Sequence, residues 1–346
     1  FYVKAANAAA AGARLVLIGL TAPGDPFAAN PAPGVAALPA PVLMIDQAAA
    51  DMLRAGSASG VIVGLNPADA VNLAFSVAPA SARGPRNNDG AIKPDLAAPG
   101  LAMAARTGSG AGGSLTAGAS SATALAAGLA ALLKEAHGAA LAPAQMKALL
   151  MNSATLHVRQ DDLAGSLAQI TRIGGGQVDL RAALASSLIA WDSTAADPLA
   201  WTGSLSFGYV PASRRQTITR TLTIQNLAAL PQTVQIDSYF RYLEDYAQGV
   251  YVTPGLDNVT VLAGSVVTAP IVLEIDPAAA LHRWVLDRGQ QGANGELLRY
   301  QEYDGYVRIT PRQGAPLHVV WQALPRAAAE TQLGGARGQP GAVSLV

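Results

Sequence analysis

The chain contains no cysteine. Disulfides, thiolate zinc sites and cysteine nucleophiles are therefore excluded. Charge is also scarce. Only 13% of the residues are charged, against a usual value of about 25%. The 23 Lys+Arg balance the 23 Asp+Glu to a formal net charge of zero. Phosphate binding needs a clustered excess of Lys and Arg, so nucleic acid is not an expected partner. Aromatic residues make up 5% while hydrophobic residues reach 51%, so alanine dominates the apolar fraction. No apolar stretch attains the roughly 18 residues of a membrane span; the best candidate, 122–133, ends at Lys134. No basic segment, apolar core and cleavage site follow one another at the start, so no signal peptide is read there. No repeat with a period of about 20–50 residues is visible. The 346 residues, at roughly 150 per domain, suggest about two domains or three small ones.

The pattern along the chain divides it. Residues 4–13 predict a small-residue helix ended by Gly12, and RLVLIGL (14–20) a buried strand. A loop rich in Pro, Gly and Asn precedes a second strand, PVLMID (41–46). A helix over 46–56 with Asp46 as N-cap and a third strand, SGVIVGL (59–65), complete a small α/β unit. Residues 78–100 carry Pro85, Pro94 and Pro99 and read as loop. A helix starts near Ser120 and runs to about Ala136. Its surface is apolar nearly all round, which predicts burial. A second helix, 143–154, has Pro143 in its first turn. A glycine turn at 174–176 leads into a third, reaching Leu188.

After Pro198 the period changes to two. Segments 217–227, 233–240, 249–254, 258–264, 266–277, 303–310 and 317–325 alternate polar and apolar residues. Turn signals such as Thr253–Pro254–Gly255 and Asp304–Gly305 separate them, and an all-β sandwich is expected. The tail after Arg326 reads as linker.

Few residues offer chemistry. His137, His157, His282 and His318 form no metal-ligand spacing, and each is read as structural. Asp161–Asp162 and Glu244–Asp245 are read as solvated loop charges. Residues 108–118 are Gly-rich but lack the GK[ST] ending of a phosphate loop. The stronger signal is a set of segments in fixed order: ARGP (82–85), KPDLAAPG (93–100), GASSATALAAG (118–128), MKALLMNSA (146–154) and GGGQVDLRAAL (174–184).

Together these segments resemble the C-terminal half of the catalytic domain of subtilisin-like serine proteases, the subtilases, whose strings read approximately SxRGP, KPDIxAPG, GTSMAxPHVAG, IKxALMNTA and GxGxVDAxxA. The resemblance places Ser120 on the nucleophile, its backbone N–H in the oxyanion hole, and Gly118 and Ala119 in the turn that supports it. The chemistry suits the position. A serine at a helix N-terminus presents its N–H and the positive end of the helix to a developing oxyanion. The family's His takes the serine proton and its Asp orients that His. Here Ala119 replaces the family Thr, Ser121 the Met, and Ala124–Leu125 the Pro–His pair. Subtilases run Asp, His, Ser along the chain, and no histidine precedes Ser120. The resemblance therefore implies a fragment whose His and Asp lie upstream of Phe1. It also implies that the isolated chain does not hydrolyse peptides.

The flanks extend the resemblance. FYVKAANAAAAGARLVLIGL with PVLMID and DMLRAG resembles a protease-associated (PA) domain. The region 200–326, with EYDGYVRIT and LHVVWQALPR, resembles the fibronectin-III-like domain of the large cell-envelope and C5a-peptidase-like subtilases. The expected fold is thus multidomain: an incomplete PA α/β insert (1–68), the C-terminal half of an α/β subtilisin-like catalytic domain (69–192), a fibronectin-III-like sandwich (193–326) and a tail (327–346). The implied activity is that of a secreted or cell-envelope, bacterial serine endopeptidase acting on protein or peptide substrates. The alternative is a non-catalytic interaction module or pseudo-protease. An unrelated α/β hydrolase fits less well, since Gly118–Ala119–Ser120–Ser121–Ala122 lacks the last Gly of GxSxG. The resemblance implies no catalytic cofactor and leaves a structural calcium open. No DxDxDG loop is present, although many relatives bind calcium.

Overall fold

The computed structural model describes residues 2–21, 37–38, 40–64, 66, 74–78, 80–137, 141–160, 165–246, 248–279, 281, 301–328, 333–335 and 343–345. His282 and Asp161–Asp162 lie outside them.

The chain opens with α1 (Tyr2–Ala10), β1 (Val16–Gly19), β2 (Val42–Ile45) and α2 (Gln47–Gly56). Strands β1 and β2 pair in parallel. Asp46 caps α2, its carboxylate accepting from Ala49 N at 2.6 Å. The third strand expected at 59–65 is not seen over the described residues 59–64. Ser57–Ser59 is a single 3₁₀ turn, and residues 60–64 are exposed without a ladder partner, Ile62 at 94%. An apolar run reports what could be buried; a strand also needs a neighbouring edge.

The middle of the chain holds a hairpin, β3 (Leu101–Ala105) with β4 (Gly113–Ala117), then α3 (Ala119–His137), α4 (Pro143–Ser153), α5 (Ile170–Ile173) and α6 (Leu180–Ala185). This corrects two expectations. Among the described residues of 74–185 the paired strands are one antiparallel hairpin, with isolated parallel bridges at Ser76–Arg159 and Ala97–Gln177, and these residues show no layered sheet of several parallel strands joined by crossovers. Helix α3 is not enclosed either: Leu133 is its one fully buried residue, and Leu125 and Leu132 are exposed. Its neighbours are β3, β4, α4 and α6, and a two-stranded hairpin cannot cover a helix that is apolar on all sides.

The rest is a β-sandwich. Strand β5 (Leu188–Asp192) starts it, where the third helix was expected to end. Then come β6 (Ser204–Ala212), β7 (Gln216–Asn226), β8 (Gln232–Phe240), β9 (Val250–Pro254), β10 (Asn258–Val261), β11 (Val266–Ile275), β12 (Tyr303–Pro311) and β13 (Leu317–Ala327). One sheet has the order β10-β8-β12-β13-β6, the other β5-β7-β11-β9. All pairs are antiparallel except β13 with β6. Alternate residues face inward, as in Ala269, Ile271, Leu273 and Ile275 of β11. They meet Leu205, Val307, Ile309, Val319 and Trp321 of the opposite sheet in one core. The expected turn at Asp304–Gly305 lies instead inside β12. Gly305 sits there because a Cβ would fall 2.0 Å from Tyr239 O and 2.7 Å from the Trp321 ring. In the tail, β14 (Leu333–Gly335) and β15 (Val343–Leu345) form a small antiparallel pair.

The sandwich is not free of the middle segment. Strand β5 is buried on both faces. Leu188 and Ala190 enter the sandwich core, while Ile189 and Trp191 join Leu133, Leu149 and Leu150 in a second core. A third core sets Val320 of β13 against Val77, Ile92, Val158, Ala168, Ile170 and Ile173.

Candidate functional site

The motif segments singled out in the sequence come together in space. Gly118 N donates to Gly100 O at 2.8 Å, which ties the start of α3 to the end of KPDLAAPG. Gly175 N donates to Asp95 O at 3.0 Å, and Ala97 exchanges bonds with Gly176 and Val178, both 2.9 Å. Thr155 and Gln177 pair through both backbone groups. Asp95 accepts from Lys93 Nζ at 2.7 Å and from Lys147 Nζ at 3.2 Å. Burial would push its carboxyl up, but the two ammonium groups outweigh this and hold it below the ordinary value. Upstream, Gly84 N of ARGP donates to Thr171 O at 2.8 Å.

Ser120 stands in the first turn of α3 and is exposed. Gly118 precedes it at φ +113°, a conformation that side chains resist. The turn closes with Ser121 N and Ala122 N donating to Gly118 O at 3.1 and 3.3 Å. The flanking hydroxyls are tied back: Ser121 Oγ donates to Thr116 Oγ1 (2.9 Å), itself bonded to Ala102 O (3.1 Å), and Thr123 Oγ1 donates to Ala119 O (2.8 Å). Among the described residues Ser120 Oγ has no hydrogen-bond partner, and its N–H, in the unpaired first turn, has none either. The hydroxyl and the donor a nucleophile needs are thus free and outward-facing. Among the described residues no histidine stands beside them. His137 ends α3, His157 is exposed, and His318 is half-buried in β13 with its ring N–H (Nε2) donating to Gly175 O at 2.8 Å. Burial depresses the His318 pKa to about 4, so the ring is a neutral structural donor.

Sequence reasoning missed a second polar constellation. Where the middle segment meets the sandwich, Arg83 Nη2 pairs with Glu302 Oε1 at 2.5 Å, and Thr171 Oγ1 donates to the same carboxylate at 2.9 and 3.0 Å. Arg83 Nη1 donates to Gln169 Oε1 at 3.1 Å, and Ile170 N to Asp304 Oδ2 at 2.6 Å. Arg241 donates to the carbonyls of Ala168, Leu156 and Val158, and Tyr242 OH to Leu167 O at 2.7 Å. Asp245, expected to be solvated, is 3% exposed. The 3₁₀ turn Leu243–Asp245 folds it inward instead of leaving it in a loop. The available signal was Glu-Tyr-Asp at the head of β12: two acids on the face opposite the buried Tyr303 must lie in water or be paired.

Among the described residues no helix is long and apolar enough to cross a membrane, and no three His, Asp or Glu side chains gather as a metal site.

Comparison with solved structures finds limited likeness. A FixG-related protein from Vibrio parahaemolyticus matches 41% of this chain and 98% of its own at 14% identity and TM-score 0.24. The CooA pilin subunit of enterotoxigenic Escherichia coli matches 41% and 99% at 13% identity and TM-score 0.24. A PapD-like domain of human CEP192 matches 42% and 88% at 9% identity and TM-score 0.22. Likeness at these scores supports no conclusion about this chain. No curated protein matches it. Residues 46–179 match the model of the subtilase family, a span that encloses Ser120 and all five motif segments except the last residues of GGGQVDLRAAL. Over that span the chain carries a subtilase-like domain.

Proposed function

We propose that this chain is part of a subtilisin-like serine endopeptidase in which Ser120 is the nucleophile. The observation that carries this reading is the free hydroxyl of Ser120 behind the Gly118 turn, at the head of α3 and inside the subtilase match. In the reaction, Ser120 Oγ adds to the scissile carbonyl and an acyl-enzyme forms as the amine leaves; the Ser120 N–H at the helix start faces the oxyanion. Among the described residues no histidine base or orienting aspartate stands beside Ser120, and in this reading they come from further sequence of the protease. The flanks are read as a PA-like unit over 1–68 and a fibronectin-III-like sandwich that takes in β5 and extends to 326, accessory to substrate access in a secreted or cell-envelope protease. The test is labelling by a fluorophosphonate in the protein joined to its complete triad. Wild type should label and Ser120→Ala should not. Absence of labelling in wild type favours the second reading, an inert site within an interaction module, which the Ala119 and Ser121 replacements support.

A further inference from the structure

The first turn of α3, which carries Ser120, has little packing to hold it. Ala119, Ser120, Thr123, Ala124 and Leu125 are exposed, and the one fully buried residue of the helix, Leu133, lies far along it. A rise of about 1.5 Å per residue puts that anchor about 20 Å from Ser120. The bonds from Ser121 N and Ala122 N to Gly118 O lie within the turn and do not fix its direction. Gly118 does not brace it either: at φ +113° it has nothing within 4 Å of where a Cβ would stand. Among the described residues two hydrogen-bonded ties reach outside the turn. One is the Gly118 N to Gly100 O bond, which holds the chain just before the helix. The other is made by side chains. Ser121 Oγ donates to Thr116 Oγ1 at 2.9 Å, and Thr116 Oγ1 donates to Ala102 O at 3.1 Å. Thr116 in β4 and Ala102 in β3 are ladder partners, so one hydroxyl joins the helix to both strands of the hairpin. A carbonyl only accepts, so the single Thr116 hydroxyl proton goes to Ala102 O and Ser121 must be the donor. Both residues are half-buried, where water replaces a lost partner poorly.

We propose that Ser121 and Thr116 are positioning residues for Ser120: their hydroxyl chain clamps the first turn of α3 to the β3–β4 hairpin and fixes where the Ser120 Oγ and N–H point. The proposal rests on the reading of Ser120 as nucleophile. Neither hydroxyl touches the reacting atoms; both act through the turn. Addition needs Oγ at the scissile carbon and the N–H at its oxyanion at the same moment. A turn that swings at Gly118 satisfies both only part of the time, whereas a clamped turn holds them together. In this reading the serine at 121 serves an active nucleophile, because it has a partner in the hairpin that holds the turn in place.

The experiment uses a fluorophosphonate on the protease with its complete triad, as wild type, Thr116→Val, Ser121→Ala, the double variant and Thr116→Ser. Valine keeps the shape of threonine and removes the hydroxyl. The maximal labelling rate should fall by about 10- to 100-fold in either single variant, the cost of misplacing a reacting group by up to about 1 Å. The probe concentration at half-maximal rate should stay the same. The double variant should be no slower than the slower single one, because the same chain is cut twice. Thr116→Ser should return to the wild-type rate. In the 346-residue chain, the Ser121 and Ala122 amides should exchange hydrogen about tenfold faster in Thr116→Val, the worth of about one hydrogen bond. Amides around Leu133 should keep their protection, which shows the fold intact. A wild type that labels, beside a Thr116→Val that labels as fast, overturns the positioning role alone. So do single effects that multiply in the double variant, a Thr116→Ser that restores nothing, unchanged exchange at Ser121 and Ala122, or exchange that rises equally around Leu133. A wild type that does not label overturns the nucleophile and this proposal with it.

Discussion

Acidification should act on His318, and the structure gives the size and the sign of the effect. The ring is half-buried, its Nε2–H held by Gly175 O at 2.8 Å and its edge set against Tyr306 at a centroid distance of 6.3 Å. Burial lowers its pKa from 6.5 to about 4. Between those values the unfolded chain binds the proton and the folded chain does not. The contribution of His318 to stability is thus complete above pH 6.5 and is lost as pH falls toward about 4. At about 1.4 kcal/mol per pH unit the full loss is about 3 kcal/mol. His318→Gln isolates it, because the Gln side-chain NH₂ takes the place of the ring N–H on Gly175 and does not titrate. Urea unfolding of both proteins from pH 7 to pH 4 measures the difference. The variant loses the Tyr306 contact at every pH, which offsets its curve without tilting it. Glu302 and Asp304 titrate alike in both proteins and cancel. The wild-type advantage should shrink by about 2–3 kcal/mol across this range. Parallel curves would refute the reasoning, since they mean that His318 takes its proton in the fold as readily as in the unfolded chain.

Other outcomes follow from the packing. Trp321→Ala removes a fully buried side chain from the sandwich core and should lower stability by about 3–5 kcal/mol in chemical denaturation. Gly305→Ala drives a methyl group into Tyr239 O and the Trp321 ring; a melting temperature within 1–2 °C of wild type, as roughly expected for a harmless surface change, would contradict it. Arg83→Met strips the partner from the buried Glu302 carboxylate. It should be destabilising by about 3–5 kcal/mol at alkaline pH and less in acid, where Glu302 can take a proton instead. Ser120→Ala touches an exposed hydroxyl without a partner and should leave unfolding within about 0.5 kcal/mol of wild type.

Strands that face a core on one side and water on the other were legible as period-two alternation, and β7 to β13 appear close to where it placed them. Two strands escaped for opposite reasons. Strand β5 is buried on both faces, so LIAW has no alternation; its Leu188 reads as the end of the preceding helix and the rest as no element. Strand β6 alternates, but the register with β13 slips between Ser206 and Gly208, with Phe207 as the extra residue, and the bulge breaks the period. The Ser120 position was legible because its turn is local: a glycine, a serine and a helix within a few residues. The carboxylate cluster was not, because Arg83, Thr171 and Glu302 are distant in sequence and meet only after the sandwich has docked. Exposure of α3 was illegible for a simpler reason. Hydrophobicity is a property of the helix, while burial is a property of its neighbours.

Strand β5 has a consequence for how the molecule melts. It is five residues long, and its alternate side chains are divided between two cores: Leu188 and Ala190 on one side, Ile189 and Trp191 on the other. Withdrawing it opens both at once, so helices α3, α4 and α6 and the β7 sheet share a single point of failure. Calorimetry should show them unfolding in one cooperative step, with the calorimetric and van't Hoff enthalpies equal across both. A proteolytic nick between residues 187 and 193 should release no independently folded half.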